Sequence, residues 1–347
     1  MPVVLTAPAR LDTMMKTRRA GQTLTDPHVI TRLTPLFDRI NQELQSSLAS
    51  DVPYISQVSR HSLLSSGKRI RPVLFILSAR LCGYQGTEDV RYSAMFEFLH
   101  AASLMHDDVV DESETRRGQI AAHVAYGNKA AILVGDYLLA KAVSQAVSNR
   151  SFEFIEVMAR TALLLSEGEI LQLLHNRDAE ITEAEYQRII YRKTATLIEA
   201  ACELGAVMAE APPERRQALA GFGRKIGLAF QIIDDVLDYT TTETELGKPV
   251  GQDLDEGLIT LPLILALARA GGEERRRILP LILKERRTLT EFEAVLAFIH
   301  AHGGVAAAMA DAQRSIAEAK AGLMGLPDRP ERQDLLDLAD FIVSRRK

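Results

Sequence analysis

Two acidic clusters carry most of the chemistry available to this chain. Asp107, Asp108 and Asp111 stand in Leu-Met-His-Asp-Asp-Val-Val-Asp, and Asp234, Asp235 and Asp238 in Gln-Ile-Ile-Asp-Asp-Val-Leu-Asp. Carboxylates are costly among Ile, Val, Leu and Met unless something pairs them. On a helix, positions i and i+4 share a face and lie about 6 Å apart along the axis. Asp107 therefore points with Asp111, and Asp234 with Asp238, with Gln231 one turn before Asp234. One Asp-Asp-x-x-Asp alone would fit a solvated helix end or a nonspecific cation site. Two copies in apolar sequence imply a polycationic guest held between two helices, most simply Mg²⁺. That ion takes one or two carboxylates together with waters and phosphate oxygens. Two facing carboxylate pairs thus suit a diphosphate bridged to the wall by several Mg²⁺ ions.

The basic residues point to a second anion. Gly67-Lys68-Arg69-Ile70-Arg71-Pro72 places three cations at a helix start, where backbone N–H groups and the dipole also favour anions. Arg116 and Arg117 follow the first acidic motif in the adjoining loop, and arginine forks bind phosphate bidentately. His100 lies seven residues before Asp107, hence on the same helix face. The plain alternatives are a solvated basic turn for residues 68–71 and a core histidine with a backbone partner. Taken with the aspartates, these groups provide one site for a metal-bound phosphate and another for a metal-free one.

The elements that must hold these groups read as helices. The series Met95, Phe98, Leu99, Ala102, Met105, Val109 and the series Ile226, Phe230, Ile233, Leu237 recur at three and four. Both segments are apolar over more than one face, which predicts central, buried helices. No run alternates as a strand would. The expected fold is all-α, a single helical bundle of about ten to thirteen helices around a central cavity. Ser66-Gly67 ends a helix, and Pro72 suits an early position of the next. Residues 114–128 read as a loop, Pro212-Pro213 opens a helix, and residues 335–343 form a last amphipathic helix. The longest irregular stretch is 240–262, with Gly247, Pro249, Gly251 and Gly257, a length that is usually functional or mobile.

The chain has 347 residues, 47% of them hydrophobic and 25% charged, with a net charge of −5. That composition suits one large core and argues against a general nucleic-acid binder. Residues 1–30 read as a flexible leader and 31–347 as the functional domain. Cys82 and Cys202 form no CxxC pattern, so a reducing cytoplasm is the expected setting. No apolar run approaches the roughly 20 residues of a membrane span.

With these motifs in this order, the chain resembles the trans-isoprenyl (polyprenyl) diphosphate synthase family. The matching elements are residues 67–72, His100 to Asp111 with Arg116-Arg117-Gly118, Gly135-Asp136-Tyr137, Lys193-Thr194, Gly227 to Asp238, and Gly247-Lys248 through Glu256-Gly257. The likeness spans about residues 35–345. It implies Mg²⁺ bound chiefly by Asp107, Asp111 and Asp234, with Asp108, Asp235 and Asp238 in support, and three ions per site with substrate bound. It implies that Arg116 binds the allylic diphosphate with help from Lys193, Lys248 and Gln231. Lys68, Arg71, His100 and Arg117 would bind isopentenyl diphosphate, and Thr194 and Gln231 would lie near the allylic carbocation. The implied reaction is ionisation of the allylic C–O bond, attack by the isopentenyl double bond, and proton removal by the departing diphosphate. Homodimerisation follows from the resemblance, as does peripheral membrane contact for product release.

Two departures from the family pattern stand out. Leu258 replaces the usual lysine after Glu256-Gly257, and Gln119-Ile120-Ala121 replaces the common Pro-Thr after Gly118. Product length is expected from the residues below the first motif. Ser103 and Ala102 are small, and the first aromatic on that face is Phe96, about 16 Å below Asp107 at 1.5 Å per residue. A long tunnel and a hexaprenyl to decaprenyl product, serving quinone side chains, are therefore expected. The competing readings are a farnesyl or geranylgeranyl synthase, a class I terpene cyclase, which would not need the second diphosphate site, and a non-catalytic partner subunit of a heteromeric synthase.

Overall fold

The computed structural model describes residues 28–63, 68–116, 118–240 and 251–344. Its helices are α1 (His28–Ser47), α2 (Pro53–Leu63), α3 (Ile70–Leu81), α4 (Asp89–Val110), α5 (Ala122–Tyr126), α6 (Asn128–Ser148), α7 (Phe152–Leu174), α8 (Glu183–Ile190), α9 (Thr196–Met208) and α10 (Pro213–Thr240). After these come α11 (Gln252–Asp255), α12 (Leu261–Arg269), α13 (Gly272–Ile282), α14 (Leu289–Ala301), α15 (Gly304–Leu323) and α16 (Pro330–Ser344). Among the described residues α5 and α11 are single turns, and α8 and α9 form one rod joined through a π-helical segment, Tyr191–Ala195. The remaining rods reach the upper end of the expected ten to thirteen.

The two motif-bearing helices are central because they are apolar nearly all round. α4 buries Met95, Phe96, Phe98, Leu99, Ala101, Ala102 and Met105 and packs between α3 and α6. α10 buries Leu219, Phe222, Ile226, Ile232, Ile233 and Val236 and packs between α9 and α15. Phe75 of α3 joins α4 to α7, its ring centroid 5.4 Å from Phe96 and 6.3 Å from Phe154 of α7. Truncating one such ring to alanine typically costs about 3–5 kcal/mol.

Three sequence expectations are refined. The stretch 114–128 holds a two-residue antiparallel ribbon, β1 (Thr115–Arg116) with β2 (Gln119–Ile120), and then α5; so short a ribbon has no alternation to detect. The last helix begins at Pro330, before the apolar run, because proline is preorganised for a helix's first position. α6 is long and apolar enough, by length and composition, to cross a membrane. One face of α6 packs on α4, while Leu133, Val143 and Val147 stay exposed on the other. The helix end expected at Ser66-Gly67 lies outside the described residues; α2 is described to Leu63.

Candidate active site

α4 and α10 bring their carboxylate pairs onto one cavity of about 520 Å³. Asp107 and Asp111 line one wall, and Asp234, Asp235 and Asp238 line the other. Arg71, His100, Arg116, Lys193, Thr194 and Gln231 line the same space. Lys68 is exposed and sits over the Phe341 ring of α16, 5.5 Å from its centroid. Arg117 and Lys248 lie outside the described residues.

Asp108 and Asp235 are each fixed by side-chain donors. Asp108 is turned away from the cavity. Its Oδ1 accepts from Arg116 Nε at 2.7 Å and Nη2 at 2.5 Å, which aims the guanidinium stem. Asp235 is buried and accepts from Tyr186 Oη at 2.5 Å and Gln231 Nε2 at 2.8 Å. Gln231 Oε1 in turn accepts from Thr194 Oγ1 at 2.7 Å. The amide is thereby held from both ends, its orientation set by a donor and an acceptor.

Burial penalises the negative charge that these carboxylates bring together. Burial, reinforced by Glu169 and Asp111 and opposed by Lys193, pushes the Asp107 carboxyl up to about 7. Burial, with Asp234 and Asp238 adding to it, lifts Asp235 to about 7 against its hydrogen bonds. Asp253 is driven well above the carboxylate range, by burial first and then by Asp238 and Asp235. Desolvated like charges of this density call for a cationic guest. Among the described residues no three acidic or histidine side chains close on one point as a cage. Open carboxylate pairs of hard oxygens fit Mg²⁺, which keeps waters and takes phosphate oxygens.

Lys193 and Thr194 stand on the π-helical segment, a feature common at functional sites. Lys193 Nζ donates to Glu169 Oε2 at 2.8 Å. Two glycines let neighbouring helices close on this segment. A Cβ at Gly168 of α7 would lie 2.7 Å from the Lys193 amide nitrogen, and one at Gly227 of α10 would lie 2.6 Å from the Ala195 Cα. Because the obstacle is backbone, Gly227→Val must push α10 off the π segment. It is expected to cost about 1–3 kcal/mol of stability and, by displacing Gln231 and Asp234, roughly a hundredfold in turnover. Gly221→Ala, into open space on the same helix, should be neutral or stabilising. Thermal melts and initial rates of the two variants check this.

Several cavity groups are given no role by the sequence pattern, although Gln252, Asp253 and Glu256 fall within a matched element. Glu169, Gln172 and His175 come from α7 and its end, Tyr186 from α8, and Gln252, Asp253 and Glu256 from α11 and its end. Asp253 is tied to the second motif, its amide donating to Asp238 Oδ2 at 3.2 Å. Leu258 lines the cavity in the position of the usual lysine, so that contact is apolar. Of the three cations at the start of α3, Arg69 is turned inward and 6% exposed. The expected tunnel also differs. On α4 the cavity reaches down to His100; Leu99 and Phe96 fill the core, Phe96 against Phe75. Ser103 lines it and Ala102 does not. At 100° per residue Ser103 stands about 40° from Asp107, and Ala102 about 140°. The apolar wall comes instead from Ile181, Ile189, Ile190, Phe230 and Leu237.

An all-α bundle with facing carboxylate pairs and a basic wall defines the isoprenoid synthase class. Comparison with known proteins narrows the class. A polyprenyl synthetase family model matches residues 52–299. The chain is 40% identical over 306 residues to octaprenyl diphosphate synthase of Escherichia coli (strain K12), covering 88% of this chain and 94% of that protein. It superposes on a crystal structure of a decaprenyl diphosphate synthase from Rhodobacter capsulatus with a TM-score of 0.86 and 38% identity, covering 92% of this chain and 99% of that one. A polyprenyl synthase from Caulobacter crescentus CB15, complexed with calcium and isoprenyl diphosphate, also gives a TM-score of 0.86 at 38% identity, over 95% of this chain and 100% of that one. The chain belongs to the polyprenyl synthetase family.

Proposed function

We propose that this prenyltransferase condenses an allylic diphosphate with isopentenyl diphosphate repeatedly, to an all-trans product of hexaprenyl to decaprenyl length. The observation that carries the reading is the pairing of Asp107 and Asp111 with Asp234 and Asp238 across one cavity whose wall also bears Arg71 and His100. The octaprenyl and decaprenyl synthases among its relatives support the length.

Asp107, Asp111, Asp234 and Asp238 would hold Mg²⁺, which when bound neutralises the leaving diphosphate. Arg116, aimed by Asp108, and Lys193 grip that diphosphate. Arg71, His100 and Lys68 hold the diphosphate that stays; the family resemblance adds Arg117 to this group and Lys248 to the one around the leaving group. Thr194 and Gln231 keep polar oxygen near the developing cation, oriented by the Tyr186–Asp235 pair. Ile189, Ile190 and Phe230 exclude water, which would quench the cation.

The test is incubation of the purified chain alone with Mg²⁺, isopentenyl diphosphate and either geranyl or farnesyl diphosphate, with products read by mass spectrometry. A product stopping at farnesyl or geranylgeranyl length overturns the long-chain reading, and no turnover favours a partner subunit. A second copy is the proposed occupant of the apolar face formed by Leu163, Ile170, Leu173 and Leu174 of α7 with Leu133 of α6, all exposed. Light scattering should find a dimer, and Leu173→Glu should shift it toward monomer.

A further inference from the structure

We propose that Arg69 is a positioning residue for the basic turn, acting through its neighbours Lys68 and Arg71. This rests on the reading that the turn holds isopentenyl diphosphate. Its guanidinium is buried and reaches three separate elements. Nε donates to Asn41 Oδ1 of α1 at 3.0 Å, Nη1 to Glu97 Oε2 of α4 at 2.7 Å, and Nη2 to the Leu63 carbonyl ending α2 at 2.5 Å. The Arg69 and Glu97 side chains are 5% and 4% exposed. One planar fork thus joins α1, α2 and α4 to the start of α3, a geometry lysine cannot reproduce.

Two features separate this pair from ordinary core packing. A buried ion pair adds little net stability over apolar residues of the same volume, so its use fits a registering role. Arg69 also adopts the left-handed conformation, φ 47° and ψ 33°, uncommon for a residue with a side chain. Such a backbone persists where its surroundings hold it, and it turns Lys68 and Arg71 into their places. Glu97 lies three residues before His100 and ten before Asp107 on the same rod. The anchor therefore references the turn to the helix that carries the first acidic pair, although neither Arg69 nor Glu97 touches the cavity.

The test is steady-state kinetics on Arg69→Lys and Glu97→Gln, beside Arg71→Ala. Arg69→Lys keeps the buried charge opposite Glu97, so it preserves the fold, and a thermal melt verifies this. The expected result is a rise of roughly tenfold in KM for isopentenyl diphosphate, with kcat at saturation within about threefold and KM for the allylic substrate unchanged. Asn41→Ala, which removes one contact only, should give a smaller rise in the same constant. An unchanged KM for isopentenyl diphosphate, or a proportional loss in all constants, overturns the inference. If Arg71→Ala itself leaves that KM unchanged, the assignment of the turn to this substrate falls, and the inference with it.

Discussion

Asp107→Asn should fold, melt higher than the parent in the absence of metal, and turn over roughly a thousandfold more slowly, a loss of about 4 kcal/mol in transition-state stabilisation. On the proposed function the rate falls because Asp107 faces Asp234 and Asp238 across the cavity, where its charge would help to hold the ions that meet the leaving diphosphate. The melting temperature rises because Asp107 is a desolvated carboxylate beside Glu169 and Asp111. An uncharged isostere removes that repulsion. The gain should be a few degrees, since about 2 kcal/mol moves a chain of this size by about 3 °C. Opposite movements of stability and activity mark a group kept for function. Melting curves with a chelator present and rates with excess Mg²⁺ test both halves. A variant that retains more than a tenth of the parental rate would remove Asp107 from the metal-holding set.

Ser103→Phe should have the second largest effect, on product rather than rate. Ser103 lines the cavity one turn below Asp107, its hydroxyl donating to the His100 carbonyl at 2.9 Å. An aromatic ring there would block the space where the chain must grow. Product length is expected to drop by several isoprene units, with the first condensation persisting at a comparable rate. Ala102→Phe is the contrasting variant. Ala102 is 2% exposed and faces the packed core, so a phenyl group there should overpack by about 1–3 kcal/mol. An unchanged product from Ser103→Phe, with a shortened one from Ala102→Phe, would reverse the assignment.

Much of the fold and the site was legible in the sequence, for physical reasons. α4 and α10 announced themselves because two signals coincide in each, apolar residues all round and acids at helical spacing. Asp107, Asp111, Asp234, Asp238, Gln231 and His100 needed only periodicity to be aimed. What stayed hidden depends on long-range contact. The inward turn of Arg69 needs Glu97 from another helix. Glu169 and Tyr186 have no motif, and their value comes from meeting Lys193 and Asp235. The floor of the cavity was misplaced because counting down one helix cannot register Phe75, which wedges against Phe96 from a neighbour.

The π-helical turn at Tyr191–Ala195 has a consequence for how such a chain can change over time. Each residue rotates a helix by about 100°, and a π turn carries surplus backbone that a regular helix would not. Loss of a single codon within it would let α8 and α9 merge into an unbroken α-helix, well packed and easily folded. Lys193 and Thr194 would then swing about 100° relative to the rest of the rod. One in-frame deletion could thus silence the chemistry while leaving a sound scaffold, a short route from a catalyst to an inert copy.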